Sequence, residues 1–330
     1  MKHIELKDID FSSMTSESFE RMLLATERLL EKGGYDKAIF VIGGGEPFVI
    51  FDTYADLVTK YKAKHGDRMN FTMLSNLTLL DDTKIEWMRK NRIGVQVSLD
   101  DLKSSKLLKT GEPTAPIVMK NIKALNEAGL GFSINTVFDD PQNDILPITD
   151  YICESLPNQW GLQSVFTISN EGKIDDLIAK FKQSISRLKE NKFDIFNRFR
   201  FYNETLAKPG NYYLSSTYKF YIWPDLSAVY AGKLLGKFDE GVKEKVFNDE
   251  NMLIAKPKAR AGCADCPILQ WCRGAVDYFY DTPEITSSIC KIKREVLNFA
   301  LKETQGYKPE PRSIKQMLTN CVIYDDAYFN

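Results

Sequence analysis

The sequence is poor in histidine and carries almost no excess of charge of either sign. Only His3 and His65 occur in its 330 residues, which argues against metal sites and mechanisms that need several imidazole groups. The net charge of -1, from 44 basic and 45 acidic residues, predicts no general attraction to nucleic acid or to an anionic membrane. No apolar run approaches the roughly 20 residues of a membrane-spanning helix, and the first residues lack the apolar core of a signal peptide. We therefore expect a cytoplasmic protein that binds neither nucleic acid nor a membrane.

Cysteine is scarce, and its distribution is uneven. None of the six cysteines precedes Cys153, and four of them fall between Cys263 and Cys290. In a chain with an intracellular composition, such crowding favours a metal site over a set of disulfides.

The first two thirds of the sequence alternate between strand-like and helix-like segments. Continuously apolar or alternating runs predict strands at 38–42, 70–74, 93–99, 132–138 and 162–168, with helices between them. This alternation predicts an α/β fold with a parallel sheet, and its length suits a partial (β/α)6 barrel of the TIM type. The sequence opens with a helix capped by Thr15, so we expect the first barrel strand to be missing and the edge of the next strand to be exposed.

The composition changes near residue 212, where aromatic residues become dense. A hairpin is predicted to turn at Pro224-Asp225, and the cysteine cluster, a helix after Pro283 and a polar tail follow. We therefore divide the chain into a barrel domain at 1–211 and a second domain at 212–330.

A glycine-rich turn follows the first predicted strand and reads Gly43-Gly44-Gly45-Glu46-Pro47. Glycines at the carboxyl end of a strand let a ligand approach the backbone closely, and a carboxylate there can hold an ammonium group. The alternative is a plain turn with a solvated Glu46, because short glycine motifs often arise by chance.

Several motifs in consistent order resemble the radical S-adenosylmethionine family. Gly44 to Pro47 resembles its glycine–glycine–glutamate–proline motif, and the later matches are Ser75-Asn76-Leu77, Val97 to Asp101 and Asn135-Thr136-Val137. Leu77 and Asp101 stand where the family has glycine. The resemblance covers about residues 15–137 and implies that Gly44, Gly45 and Glu46 contact the amino group of S-adenosylmethionine. It also makes Asn76 and Ser98 candidates for binding the ribose or methionyl part, although ordinary turn and strand-end hydrogen bonding would explain both.

The family's catalytic cluster is held by three cysteines spaced C-x3-C-x2-C after the first strand, and this sequence has no such motif. The glycine motif still allows the chain to bind S-adenosylmethionine, but the ligands of the catalytic cluster are absent. Either the chain is truncated at an internal methionine or it is a natural pseudoenzyme. The missing strand favours truncation, because its loss would expose a neighbouring edge.

The second cysteine motif is Cys263-x2-Cys266-x5-Cys272, with Cys290 downstream. This spacing suits one inorganic centre but does not separate a zinc ion from a [4Fe–4S] cluster. It resembles the SPASM domain, which implies one auxiliary [4Fe–4S] cluster on these four cysteines, with zinc as the alternative. A further SPASM ligand position holds Val276, and the hairpin ends Val229-Tyr230-Ala231-Gly232 without cysteine, so we expect the other auxiliary cluster to be absent. We expect Cys153 to be a buried apolar residue and Cys321 to be a tail residue.

By resemblance, the chain is a radical SAM/SPASM-type protein that acts on a side chain of a peptide or protein, as in sulfatase maturation or peptide crosslinking. The alternative is a non-catalytic scaffold that binds a precursor peptide or a partner maturase. A third interpretation makes the cysteine module a structural zinc domain.

Overall fold

A computed structural model of the chain describes residues 14–32, 37–102, 107–138, 145–155, 159–166, 174–191, 217–230, 233–240, 283–303 and 317–323. Parallel strands alternate with helices through the first two thirds of the chain, which confirms the predicted α/β class. The strands are β1 (Lys37–Gly43), β2 (Met69–Ser75), β3 (Gly94–Ser98), β4 (Phe132–Phe138) and β5 (Gln159–Phe166). The helices are α1 (Ser16–Lys32), α2 (Phe51–His65), α3 (Asp82–Asn91), α4 (Thr114–Glu127), α5 (Ile145–Ser155) and α6 (Ile174–Glu190).

The later part of the chain adds four strands and a long helix to the described elements. These are β6 (Thr217–Ile222), β7 (Ser227–Tyr230), β8 (Lys233–Lys237), α7 (Pro283–Glu303) and β9 (Met317–Ile323). The strands β6 and β7 pair antiparallel around Pro224-Asp225, which confirms the predicted hairpin. None of the described helices is long and apolar enough to cross a membrane.

The helix boundaries follow from local sequence signals. The Thr15 hydroxyl accepts a hydrogen bond from the backbone N–H of Ser18 at 3.1 Å, so Thr15 caps α1 as predicted. At the start of α4, Pro113 occupies the cap position and Thr114 is the first helical residue. Gly129, with φ of 67°, follows the end of α4, where a left-handed conformation favours glycine.

The chain divides into two compact units that each draw on separate stretches of sequence. The first unit contains residues 1–96, 213–255 and 312–330, and the second contains residues 97–212 and 256–311. Residues 192–216 lie outside the described part, so the domain boundary at residue 212 stays a prediction.

In the first unit the strand order is β2-β1-β9-β6-β7-β8. The β1 strand is parallel to β2, and Phe40 stacks on its register partner Phe71 with ring centroids 4.8 Å apart. Alternate residues of β1 and β2 are buried, which gives each strand one face packed into the core.

The structure contradicts the expectation that β1 has an exposed outer edge. The β9 strand lies beside β1 in parallel, from the pair Lys37 and Met317 to the pair Gly43 and Ile323. On its other side, β9 is parallel to β6. The predicted polar tail thus contains an inner strand, and Cys321 is a strand residue beside Val41 in register. A tail strand was missed because its pairing is entirely non-local.

In the second unit β4 and β5 are parallel, and their register runs from Ser133 beside Gly161 to Phe138 beside Phe166. The helices α5 and α6 share a buried hydrogen bond between the hydroxyls of Thr149 and Ser184 at 2.7 Å. Helices α6 and α7 are linked by ion pairs, including Lys182 with Glu295 at 3.1 Å.

Candidate functional site

The turn after β1 has a backbone that only glycine adopts readily. Gly44 has φ of 127°, a value at which a side chain would be strained. At Gly43, an added Cβ atom would lie 3.0 Å from the Cβ atom of Leu74, so this residue must be small for β1 and β2 to pack. The two glycines therefore set the shape of the turn at the carboxyl end of a parallel strand, the edge where ligands bind in α/β proteins.

The Glu46 carboxylate joins this turn to the end of β2. Its Oε1 accepts hydrogen bonds from the Ser75 hydroxyl at 2.7 Å and the Phe48 N–H at 3.3 Å. Its Oε2 accepts one from the Asn76 N–H at 2.8 Å. Burial raises the pKa of Glu46 above its ordinary value of 4.5, and the three hydrogen bonds offset only part of that rise. An ionised carboxylate has about four acceptor positions, so Glu46 braces the turn with three of them and keeps one, and its contact with an ammonium group stays a prediction.

The turn after β2 keeps a left-handed residue at the position of the family glycine. Leu77 has φ of 57° and is fully buried, and its N–H donates to the Ser75 hydroxyl at 2.9 Å. The Asn76 side-chain oxygen accepts hydrogen bonds from the N–H and hydroxyl of Thr78. Leucine at this position thus adopts a left-handed backbone at the expense of strain. At Asp101, the other replaced glycine, φ is not positive.

An aromatic cluster packs next to the turn that follows β1. The Tyr54 hydroxyl donates to the Pro47 carbonyl at 3.2 Å, and the ring of Phe51 meets the ring of Trp87 edge-on at 5.0 Å. The Lys84 ammonium lies 5.6 Å from the centre of the Phe51 ring, within the range of a cation–π contact. This packing fixes the segment that follows Glu46.

The predicted residues fall in both units. Gly44, Gly45, Glu46 and Asn76 belong to the first unit, where Glu46 and Asn76 are joined by a hydrogen bond. Ser98 ends β3 in the second unit, one residue before Leu99, whose N–H donates to the Asn135 carbonyl at 3.0 Å. Sequence reasoning missed Ser75 as the hydroxyl that holds Glu46. Its signal was a polar residue in phase with the buried Met69, Phe71 and Met73.

Most of the predicted metal ligands lie outside the described residues. This applies to Cys263, Cys266 and Cys272, so their convergence stays a prediction. Cys290 is a part-buried residue in the first half of α7. Cys153 lies half-buried on α5, where burial raises the pKa of its thiol.

The residues fit S-adenosylmethionine better than they fit the catalytic cluster of the resembling family. Gly44 has no side chain to keep a ligand from the backbone of the turn, whereas the sequence offers no cysteine before Cys153 to hold a cluster there. We therefore derive no radical step from these residues.

The family model of the Radical SAM superfamily matches residues 9–147. This match covers α1 to β4 and confirms the resemblance to the radical SAM family over that part of the chain. No curated protein sequence matches the chain.

Solved structures with the same fold include anSMEcpe and SuiB. The chain is similar to native anSMEcpe with bound AdoMet, at a TM-score of 0.69 and 17% identity over 92% of each chain. It is also similar to native anSMEcpe with bound AdoMet and the Cp18Cys peptide, at a TM-score of 0.67 and 17% identity over 88% of this chain and 90% of that one. For Streptococcus suis SuiB bound to the precursor peptide SuiA, the TM-score is 0.54 at 15% identity, over 84% of this chain and 70% of that one. At these identities the similarity establishes the fold alone.

Proposed function

We propose that this chain is a radical SAM/SPASM-type protein that binds S-adenosylmethionine and a side chain of a peptide or protein, in a partial barrel. One observation carries the proposal, namely the glycine turn at the carboxyl end of β1, braced through Glu46 to the end of β2. The structures of anSMEcpe and SuiB with bound peptides support a peptide substrate.

In this proposal the residues of the chain bind and orient ligands. The backbone of Gly44 and Gly45 holds the amino end of S-adenosylmethionine, and Ser98 and Asn76 remain the candidates for its other polar groups. Glu46 positions the turn through its three hydrogen bonds. Radical formation from S-adenosylmethionine would need the catalytic C-x3-C-x2-C ligands, a motif that these 330 residues do not include.

Calorimetric titration of the full chain with S-adenosylmethionine tests the binding site. We expect Gly44→Ala to weaken binding, because a side chain strains the turn and blocks the approach. Gly66→Ala is the matched control, since Gly66 also has a positive φ, with open space around it, but follows α2. Equal affinities for the parent chain and Gly44→Ala would contradict the proposed site.

The alternative function is a non-catalytic scaffold that binds a precursor peptide or a partner maturase. The pairing of β1 with β9 favours this alternative, because it supplies a partner for the edge that the missing strand was expected to leave exposed. Sequencing the DNA upstream of the Met1 codon separates the two interpretations. An in-frame C-x3-C-x2-C motif supports the enzyme, and an immediate stop codon supports the scaffold.

We also propose that Cys263, Cys266, Cys272 and Cys290 hold one auxiliary [4Fe–4S] cluster in a SPASM-type domain, with zinc as the alternative. Analysis of iron, sulfide and zinc after anaerobic purification distinguishes the two centres. Cys266→Ala should lower the metal content, whereas Cys153→Ala should leave it unchanged. Unaltered metal in Cys266→Ala would refute the assignment.

A further inference from the structure

Two buried polar atoms on β4 have no hydrogen-bond partner among the described residues. They are the hydroxyl oxygen of Ser133, a residue that is only 2% exposed, and the side-chain oxygen of Asn135. Because side chains alternate along a strand, the two residues lie on the same face of β4. Phe132, Ile134 and Thr136 lie on the opposite face and are fully buried.

These atoms differ from the other buried hydroxyls of the second unit. The Thr136 hydroxyl donates to the Leu99 carbonyl at 2.9 Å, and the Thr149 hydroxyl contacts both the Ile145 carbonyl and the Ser184 hydroxyl. A buried polar group without a partner lowers stability, and native proteins contain few of them. An alanine or an aliphatic residue would satisfy the packing at both β4 positions without this cost.

The neighbouring strands extend the same face. The hydrogen bond from Leu99 N–H to the Asn135 carbonyl makes Leu99 the parallel-sheet neighbour of Thr136, so Ser98 stands beside Asn135. On the other side of β4, Ser133 is in register with Gly161, which has no side chain, and Asn135 is in register with Gln163. The face thus combines two unpaired polar atoms with Ser98 and with a glycine position.

We propose that Ser98, Ser133 and Asn135 form a hydrogen-bonding subsite for a ligand group that presents an N–H or O–H donor. A donor is required because the side-chain oxygen of Asn135 only accepts, while the Ser133 hydroxyl can donate or accept. This inference rests on the proposed function, which offers two sources of such a group. One is a ribose hydroxyl of S-adenosylmethionine, and the other is an amide N–H of a bound peptide.

The first arm of the test measures stability without ligand, by urea unfolding of the full chain. The double variant Ser133→Ala/Asn135→Leu should unfold at the same urea concentration as the parent chain or at a higher one, because it removes two unpaired polar groups. Thr149→Val is the control, because it removes a buried hydroxyl that has partners, and it should unfold at a lower concentration. A double variant as unstable as Thr149→Val would overturn the inference, since the two atoms would then already be paired.

The second arm measures binding by calorimetry, with S-adenosylmethionine and the Cp18Cys peptide as separate probes. The double variant should bind one probe about tenfold more weakly than the parent chain, as expected for lost hydrogen bonds, and the affected probe identifies the source. Thr149→Val should bind both probes as the parent does. Unchanged affinity of the double variant for every probe that the parent binds would overturn the subsite alone. A parent chain that binds neither probe would overturn the proposed function and this inference with it.

Discussion

Buried polar groups are paired at the carboxyl ends of β1 and β2 but unpaired in the middle of β4. At the first, Glu46 accepts three hydrogen bonds, and Ser75 both donates and accepts. At the second, Ser133 and Asn135 each keep an unpaired oxygen. Buried polar groups that are paired within the chain stabilise the folded state. Buried polar groups without a partner contribute favourably only when a ligand supplies a hydrogen bond. In the first region the side chains of Glu46 and Ser75 therefore brace the turn, whereas in the second region the side-chain oxygens of Ser133 and Asn135 are left to pair with a ligand.

The largest expected effect comes from removing the brace. Glu46→Ala leaves the Ser75 hydroxyl and the Asn76 and Phe48 N–H groups without their acceptor, so we expect a loss of about 3 kcal/mol in the free energy of unfolding. Urea unfolding measures it. Glu86→Ala, which removes an exposed carboxylate paired with Arg89, should cause little change. A loss below about 1 kcal/mol for Glu46→Ala would place Glu46 among ordinary solvated residues.

Substitutions of Leu77, which has a left-handed backbone, should give the next largest loss of stability. Their order of stability should also be unusual. Leu77→Ala removes a fully buried side chain but keeps the strained φ of 57°, so a loss of about 2 kcal/mol is expected. Leu77→Gly loses the same packing but relieves the strain, and it should be more stable than Leu77→Ala by about 1 kcal/mol. Val97→Ala and Val97→Gly, at a fully buried position of β3, should show the ordinary order with alanine more stable. The ordinary order at Leu77 would mean that its turn is not strained.

The pH dependence contrasts two carboxylates of the first unit. The pKa of Glu46 is raised by burial, so the folded chain binds its proton more tightly than the unfolded chain, and the stability contribution of Glu46 falls as pH rises above 4.5. Burial also acts to raise the pKa of Asp225, but hydrogen bonds from Lys237 and Ser227 outweigh it and leave the pKa below 3.8. The contribution of Asp225 is therefore complete above pH 3.8 and is lost as pH falls further.

Urea unfolding at several pH values checks both signs. The stability of the parent relative to Glu46→Gln should decrease as pH rises from 4.5, and its stability relative to Asp225→Asn should decrease as pH falls below 3.8. Parallel pH profiles for the parent and Glu46→Gln would show that burial does not dominate at Glu46.

The smallest effect is expected at the surface of the second unit. Lys182 and Glu295 form a half-exposed pair between α6 and α7, and such pairs contribute about 0–1 kcal/mol. Glu295→Gln should therefore change the free energy of unfolding by about 0.5 kcal/mol or less, with less effect at high salt. A change above about 1 kcal/mol would show that polar contacts of this unit contribute to stability at its surface as well.

The fold was predictable where local signals define an element. Thr15 capped the first helix, apolar runs located β1 to β5, and Pro224-Asp225 marked the hairpin turn. The β9 strand was not predictable in the same way, because nothing in the residues around Met317 specifies a partner near Lys37. Strand pairing across the chain depends on the assembled sheet, which local propensity does not encode.

The candidate site was predictable only in part. The glycine turn and Glu46 were found from sequence, but the brace was not, because the ordinary role of a carboxylate at such a turn is to hold a cation. Ser133 and Asn135 carried a visible signal, namely two polar residues spaced two apart that alternate with the apolar Phe132 and Ile134. That signal gains meaning only with the hydrogen-bond geometry, since a polar strand residue normally has a partner or faces water.

The pairing of β9 between β1 and β6 also constrains how the chain acquires its structure during synthesis. On the ribosome, β1 and β2 emerge early and can pair with each other, yet the other edge of β1 must wait until residues 317–323 have been made. Contacts of such long range form slowly and leave an unpaired edge available to other nascent chains. The first unit can consequently begin to form early in synthesis, but it is completed only when the end of the chain has been made.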